Sequence, residues 1–258
     1  MVYTLGTLKG RNCIITGGSR GIGFAIAKLF FSKGANCLLI SRQAKHLENA
    51  ANELQADGNN KNEGTVSFLS ASVGQASFWK DFGSTEWIAE RPPDILVNAA
   101  GISQEALFMR ASMEHSEAVV QTNLMGTMWA CREVAKLMKK KREGPASIIN
   151  ISSILGLQGG RGSAAYAASK AGILGLTRAL AAEMGPMDIR VNAIVPGYIM
   201  TGMTEGLKTN QKDALLGKIP LGRFGHPSEV AEAASFLALN EYANNCVLNL
   251  DGGLSAHL

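Results

Sequence analysis

A chain of 258 residues, 46% hydrophobic and 18% charged, carries enough apolar content to close a sizeable core, which argues against wholesale disorder and against two small domains. Its formal charge of +4 is mild and comes with no recognition motif or aromatic-interleaved basic stripe, which argues against nucleic-acid binding. The 29 glycines follow no period, so a fibrous repeat is excluded, and a fold with many tight strand–helix turns suits them.

The first eleven residues contain neither a secretory apolar region nor an Arg-rich amphipathic leader. From there, short apolar or β-branched runs alternate with helix-like stretches. The pattern predicts a strand over 12–16, a helix over 22–33, a strand over 36–41 and a helix over 46–56. A polar surface loop follows at 57–64, then a strand over 65–71, a helix over 75–89 and a strand over 94–97. A long helix over 114–141, a strand over 146–152, a helix over 163–184 and strands over 189–194 and 246–250 complete the order. Most strand runs are near-continuously apolar, as strands covered on both faces are. The expected class is therefore α/β: a Rossmann-like doubly wound parallel sheet of about seven strands with helices on both faces. No repeat, linker or composition break interrupts it, so residues 1–258 read as one catalytic domain. Two stretches fit neither strand nor compact turn, 156–162 and 196–223. Long excursions after strand carboxyl ends are where open α/β sheets bind ligands, and 198–223 reads as a lid.

Lys139, Lys140, Lys141 and Arg142 form the densest basic run, at the end of the long helix. It reads either as a solvated terminus favoured by the helix dipole or as a docking patch for an acidic partner. Cys13, Cys37, Cys131 and Cys246 lie apart with no CxxC pair, and Cys13 and Cys37 fall in strand-like runs where a thiol is a small core hydrophobe. The four histidines are distant from one another, so no metal site is expected. The longest apolar runs fall short of the roughly 20 residues a membrane span needs. A reducing intracellular compartment is expected, cytoplasm or mitochondrial matrix, with the choice open.

The first strand runs into Thr16-Gly17-Gly18-Ser19-Arg20-Gly21-Ile22-Gly23, and a helix follows. Glycines suit a sharp turn whose backbone must approach a pyrophosphate, and the helix N-terminus offers N–H groups and a positive dipole end to that anion. A plain tight turn would also use glycine, but the strand–turn–helix context points to a nucleotide. The second strand ends Ile40-Ser41-Arg42, without the carboxylate that would hold a ribose 2′-hydroxyl and repel a 2′-phosphate. Arg20 and Arg42 together suit that phosphate, so NADP(H) is the expected cofactor. Further along, Tyr166 and Lys170 stand four apart at a helix start and so share a face. Hydride delivery to a ketone creates an alkoxide that must be protonated, and a free phenol, with pKa about 10, is a sluggish donor or base at neutral pH. A nearby ammonium and an oxidised nicotinamide favour the phenolate and are expected to lower that pKa. Ser153, at a strand end, is placed to hydrogen-bond the substrate oxygen.

In combination these pieces resemble the short-chain dehydrogenase/reductase family over nearly the whole chain. The matching residues are the Thr16–Gly23 loop, Asn98-Ala99-Ala100-Gly101, Asn123, Ser153, Tyr166, Lys170 and Pro196-Gly197, in family order and spacing. The resemblance implies a tetrad of Asn123, Ser153, Tyr166 and Lys170, with Asn123 holding a water in a proton relay and Lys170 also binding the nicotinamide ribose. It implies that Asn98, Ala99, Ala100 and Gly101 line the cofactor cleft, that Ser72 and Val73 meet the adenine, and that Ile199 and Thr201 hold the carboxamide. Within the family the chain is most similar to 3-oxoacyl-[acyl-carrier-protein] reductases and their carbonyl-reductase relatives. The implied activity is NADPH-dependent reduction of a carrier-bound 3-oxoacyl thioester in fatty acid synthesis, with Tyr166 as general acid. Two alternatives stand beside it: a broader carbonyl, quinone or steroid reductase, and a non-catalytic cofactor-binding subunit, which the intact tetrad disfavours. A homotetramer is expected from the resemblance and from small residues (Gly126, Gly172, Gly175, Ala179) on two long helices, and mixed assembly with a related subunit is open. Three departures stand out: Ser72 replaces a usual Asp, Gly202 replaces a common Asp, and Met187 stands where some relatives carry an Arg for the carrier protein.

Overall fold

The computed structural model describes residues 6–56, 64–104, 106–141, 144–206 and 208–257. Of the expected polar loop only Gly64 falls within them, and Arg142 of the basic run lies outside. The strands are β1 (Asn12–Thr16), β2 (Asn36–Ser41), β3 (Val66–Ser70), β4 (Ile95–Asn98), β5 (Ala146–Ile151), β6 (Ile189–Pro196) and β7 (Val247–Leu250). They form one sheet in the order β3-β2-β1-β4-β5-β6-β7, and every ladder is parallel. The helices run α1 (Gly21–Ser32), α2 (Ala44–Ala56), α3 (Ala76–Asp81), α4 (Glu86–Glu90), α5 (Met113–Val120) and α6 (Gly126–Lys141). They continue with α7 (Leu155–Gln158), α8 (Ala164–Met184), α9 (Gly202–Glu205), α10 (Thr209–Leu216) and α11 (Pro227–Leu239).

Successive side chains of a strand point to opposite faces, and both faces of this sheet are covered. Cys13, Ile15, Leu39 and Val97 pack with residues of α1, α2 and α11, whereas Ile14, Leu38, Leu96 and Ile148 pack with residues of α3, α4, α6 and α8. The continuously apolar pattern holds for the inner strands; at the edges, β3 and β7 are partly exposed. Burial pushes the Cys37 and Cys131 thiols up to about 12 and raises Cys13 well above its usual value, so these three act as core hydrophobes. No helix among the described residues is long and apolar enough to cross a membrane.

Two expected helices are broken, each for a local reason. The 75–89 segment splits into α3, a tight turn at Phe82–Ser84 and α4. Thr85 is extended there (φ −70°, ψ 144°), and its hydroxyl returns to the Phe82 carbonyl at 2.9 Å. The 114–141 segment contains a π-helical turn, Gln121–Met125, between α5 and α6. Asn123, inside that i→i+5 turn, is fully buried. Gly126 then passes so close to Val73 that a Cβ would lie 3.0 Å from it. A Cβ on Gly172 would likewise meet Leu124 at 2.8 Å, so two of the four small residues expected at a subunit interface serve packing within the chain. Gly175 and Ala179 remain exposed on α8. The 156–162 stretch overlaps α7, the lid segment contains α9 and α10, and α11 adds a helix to those the pattern predicts.

Arg190, buried in β6, closes the carboxyl end of α11. Its guanidinium donates to the carbonyls of Leu237 (2.8 Å), Ala243 (3.0 Å) and Ala238 (2.8 Å). A cation at a helix C-terminus is favoured by the dipole, and it shares two of these carbonyls with neighbours: Leu237 also accepts from the Ser147 hydroxyl (3.2 Å) and Ala243 from the Asn192 amide (2.7 Å). Arg190→Leu should therefore lower unfolding free energy by about 1.5–3 kcal/mol, the scale of hydrogen bonds made by a charged group. Urea denaturation should show it as a lower midpoint with an unchanged slope.

Candidate active site

Strand order reverses at β1, which lies between β2 and β4, and the crevice beyond the carboxyl ends at such a point is where an open α/β sheet binds ligand. The turn after β1 is built on close backbone contact. Gly17 has φ +68°, and a Cβ there would sit 2.8 Å from the Ala99 and Ala100 backbone. Thr16 Oγ1 accepts the Ala99 and Ala100 N–H groups, each at 3.2 Å, tying the ends of β1 and β4 together. Gly23 follows in α1, where any Cβ would collide with the Gly17 carbonyl. Arg20 precedes α1 without a side-chain cap, leaving first-turn N–H groups for an anion. Gly21 (φ +57°) faces the start of the lid, with Thr201 Cγ2 3.4 Å from the position a Cβ would take.

The residues present fit a dinucleotide. Ser41 Oγ, at the end of β2, is buried without a hydrogen-bond partner among the described residues, an acceptor or donor awaiting a ligand. Arg42 beside it and Arg20 in the loop after β1 are both exposed, and they follow strands paired in register at Thr16 and Ile40. Ser19 and Ile22 lie half-buried in the glycine turn and Ser72 half-buried after β3. Val73 belongs to the core by its side chain, and its carbonyl accepts the Trp79 indole N–H at 2.8 Å. On the far side, Pro196 ends β6, Gly197 closes against Asp251, and Ile199 is buried with its carbonyl held by the Thr204 hydroxyl at 2.8 Å. Thr201 caps α9.

The Asn98 side chain turns inward from this segment. Its amide donates to Asn150 Oδ1 (2.9 Å) and Cys131 Sγ (3.3 Å), in a buried network that continues from Asn150 to Thr177. Both its donors are spent inside the layer between sheet and helices, so its side chain does not line the cleft; Ala99, Ala100 and Gly101 continue from it at the strand end.

The four expected catalytic residues come from three places in the fold. Ser153 follows β5, Asn123 sits in the π turn, and Tyr166 and Lys170 lie on α8. Ser153 hydrogen-bonds the Tyr166 phenol. Lys170 Nζ donates to the Ile151 carbonyl at 2.8 Å and stands 5.7 Å from the Tyr166 ring centroid. Asn123 Oδ1 accepts the Ile102 N–H (2.9 Å), while Nδ2 donates to the Ile102 carbonyl (3.0 Å) and to Ser169 Oγ (3.1 Å). Gly101 lies where a Cβ would be 3.3 Å from Asn123 Oδ1 and 3.6 Å from Lys170 Nζ. Gly156, which opens the 156–162 stretch, lets α7 meet α8: a Cβ would stand 2.8 Å from the Lys170 carbonyl carbon.

In the chain itself, burial sets the electrostatics of this pair. Burial raises the Tyr166 phenol above its usual value, with the Ser153 hydrogen bond opposing the shift. Burial also desolvates the Lys170 ammonium, whose pKa falls to about 8. A phenol that keeps its proton at neutral pH is in the form a proton donor requires.

Fold and site together define a nicotinamide-dependent oxidoreductase of the doubly wound α/β type. A family model for short chain dehydrogenases matches residues 11–212, and the chain belongs to that family. It is 42% identical to the 3-oxoacyl-[acyl-carrier-protein] reductase FabG of Chlamydia muridarum, over 96% of this chain and 98% of that one. Carbonyl reductase family member 4 of Xenopus laevis is 39% identical over 95% of this chain and 98% of its own. A solved structure assigned as an NAD(P)-dependent gluconate 5-dehydrogenase from Beutenbergia cavernae, with NADP bound at low occupancy, is similar with a TM-score of 0.89. That protein is 34% identical, with 97% of this chain and 98% of the other covered.

The displaced pKa of Lys170 carries a stability signature in the cofactor-free protein. Its folded value, about 8, lies below the ordinary 10.5, so between those limits the unfolded chain binds more protons and stability rises with pH. The burial penalty is fully present below pH 8. Relative to Lys170→Met, wild-type unfolding free energy should therefore climb across pH 8 to 10.5, measured by urea titration at each pH.

Proposed function

We propose that the protein reduces the ketone of a 3-oxoacyl thioester, presented on an acyl carrier protein, to the 3-hydroxyacyl form with NADPH. The observation that carries the chemistry is the buried, protonated Tyr166 phenol joined to Ser153 and standing beside Lys170. Ser153 and Tyr166 orient the substrate ketone oxygen by hydrogen bonds. NADPH, held by its pyrophosphate along Gly17, Ser19, Arg20, Gly21 and Ile22 and by its nicotinamide end near Lys170, Ile199 and Thr201, would supply a hydride to the ketone carbon. As negative charge grows on the oxygen, Tyr166 gives up its proton. Lys170 stabilises the resulting phenolate, and Asn123 holds Ile102 and Ser169 in place around that pair. The lid, 198–223, closes over the cleft from Thr201, whose methyl already faces Gly21.

The thioester substrate is supported by relatives bearing that name across almost the full length of both chains. Lys139 and Lys140 are exposed at the end of α6, in keeping with an acidic partner. The second reading, a reductase of free carbonyl compounds, is favoured by the carbonyl reductase relatives and by Met187, whose side chain packs on the core where a carrier-binding Arg would offer charge. NADPH over NADH is supported by Ser41 and the two arginines. We further propose a homotetramer, or a mixed assembly with a related subunit, in one domain within a reducing compartment; light scattering of purified protein tests the first.

Steady-state assays with acetoacetyl carrier protein, acetoacetyl thioester and a quinone panel separate the two substrate readings; activity confined to quinones would remove the first. Arg42→Asp should cut the NADPH:NADH ratio of kcat/KM at least roughly tenfold, since a charged phosphate contact contributes about 1.5–3 kcal/mol. Tyr166→Phe should lower kcat roughly a hundredfold or more while NADPH affinity by fluorescence titration stays near wild type. Retention of a large fraction of turnover would exclude Tyr166 as the donor.

A further inference from the structure

Gln104, in the loop after β4, is 7% exposed, and its amide joins two backbone groups of opposite polarity. Oε1 accepts the Ala165 N–H at 2.6 Å, and Nε2 donates to the Ala106 carbonyl at 2.8 Å. One partner can only donate and the other only accept, so the amide has a single workable orientation. Ala165 lies in the first turn of α8, one residue before Tyr166. Ser163 supplies no side-chain cap there, so a residue 61 positions away provides the acceptor that a capping side chain otherwise would.

On its other side, Gln104 holds the root of an apolar run. Ala106 opens onto Leu107, Phe108 and Met109, whose side chains are 41%, 70% and 97% exposed. The loop carrying them starts at Gly101 beside Lys170 Nζ and returns to Gly162, where a Cβ would lie 3.8 Å from the Ala106 carbonyl. It has other anchors: Asn123 binds Ile102 at both backbone groups, and the His115 ring meets the Ser103 carbonyl at 3.0 Å. Loss of Gln104 therefore leaves the start of the loop attached, through Asn123 and Ser169 to the Tyr166 carbonyl, and removes the direct bond between its 104–106 segment and the first-turn N–H of α8.

We propose that Gln104 is a positioning residue that locks the apolar 107–109 segment to the first turn of α8. An apolar substrate tail seated on that segment is thereby held at a set distance from the phenol. This deepens, and rests on, the reading of Tyr166 as proton donor. A carboxylate at 104 would separate the two bonds. It still accepts from Ala165, at a helix N-terminus that favours negative charge, but it has no proton to offer Ala106 until it is protonated.

The test compares wild type, Gln104→Glu and Gln104→Leu with NADPH on 3-oxoacyl thioesters of increasing chain length and on a matching series of simple 2-ketones. Gln104→Leu should lose roughly tenfold in kcat across the series, the kinetic equivalent of about one hydrogen bond. Gln104→Glu should keep kcat within about threefold of wild type yet show a KM that rises with tail length at neutral pH. That KM should return toward wild type as pH falls and the carboxyl regains its proton, a recovery absent from wild type. Unchanged kinetics in both variants would overturn the proposal. So would an equal loss in both at every chain length and pH, which is what a purely structural role gives. A wild type that reduces ketones but no thioester removes the substrate reading alone, and the Gln104 comparison is then decided on the ketones.

Discussion

Lys170 brings an ammonium into a site where, among the described residues, no carboxylate pairs with it, and the local architecture answers that cost. One carbonyl, Ile151, receives it at 2.8 Å from the end of β5. Reaching that carbonyl requires α8 to lie close over the strand end, which Gly156 and Gly101 permit by having no side chain to place between them. The Ser152 hydroxyl, also at the end of β5, donates to the Lys170 carbonyl at 2.7 Å and fixes the helix by its backbone as well. A charge left partly unsatisfied is poor for stability and good for chemistry, because it is held where a phenolate would need it.

The same helix end depends on elements distant in sequence. Asn123, inside the π turn, bridges the loop after β4 and α8 through Ile102 and Ser169. Gln104 reaches α8 from the same loop. The catalytic geometry is thus a convergence of three strand ends, β1, β4 and β5, each closed by contacts that exclude a Cβ. This arrangement explains why a glycine-rich chain keeps a rigid site: the glycines are consumed by close approach, as at Gly17 against Ala99 and Ala100, rather than spent on flexibility.

Periodicity and motif carried most of the architecture. Alternating apolar runs and helical stretches specify a parallel sheet covered on both faces, because only buried strands are apolar at every position and only a helix returns the chain to start the next one. The glycine turn after β1, the phenol and ammonium one helical turn apart, and the arginines without a carboxylate at the end of β2 were all legible, since each depends on local spacing alone. What spacing cannot convey is a partner far along the chain. The breaks at Thr85 and Asn123, the turning of Asn98 into the interior, the pairing of Gln104 with Ala165 and the use of Gly126 and Gly172 in intrachain packing all rest on contacts between separate elements. The sign of the Tyr166 shift belongs with them. Sequence placed a cation four residues away, which favours the phenolate, whereas burial of the phenol opposes ionisation more strongly than the Ser153 hydrogen bond promotes it. Local chemistry was therefore determined by the sequence, whereas the dielectric around it was decided only when the chain closed over the site.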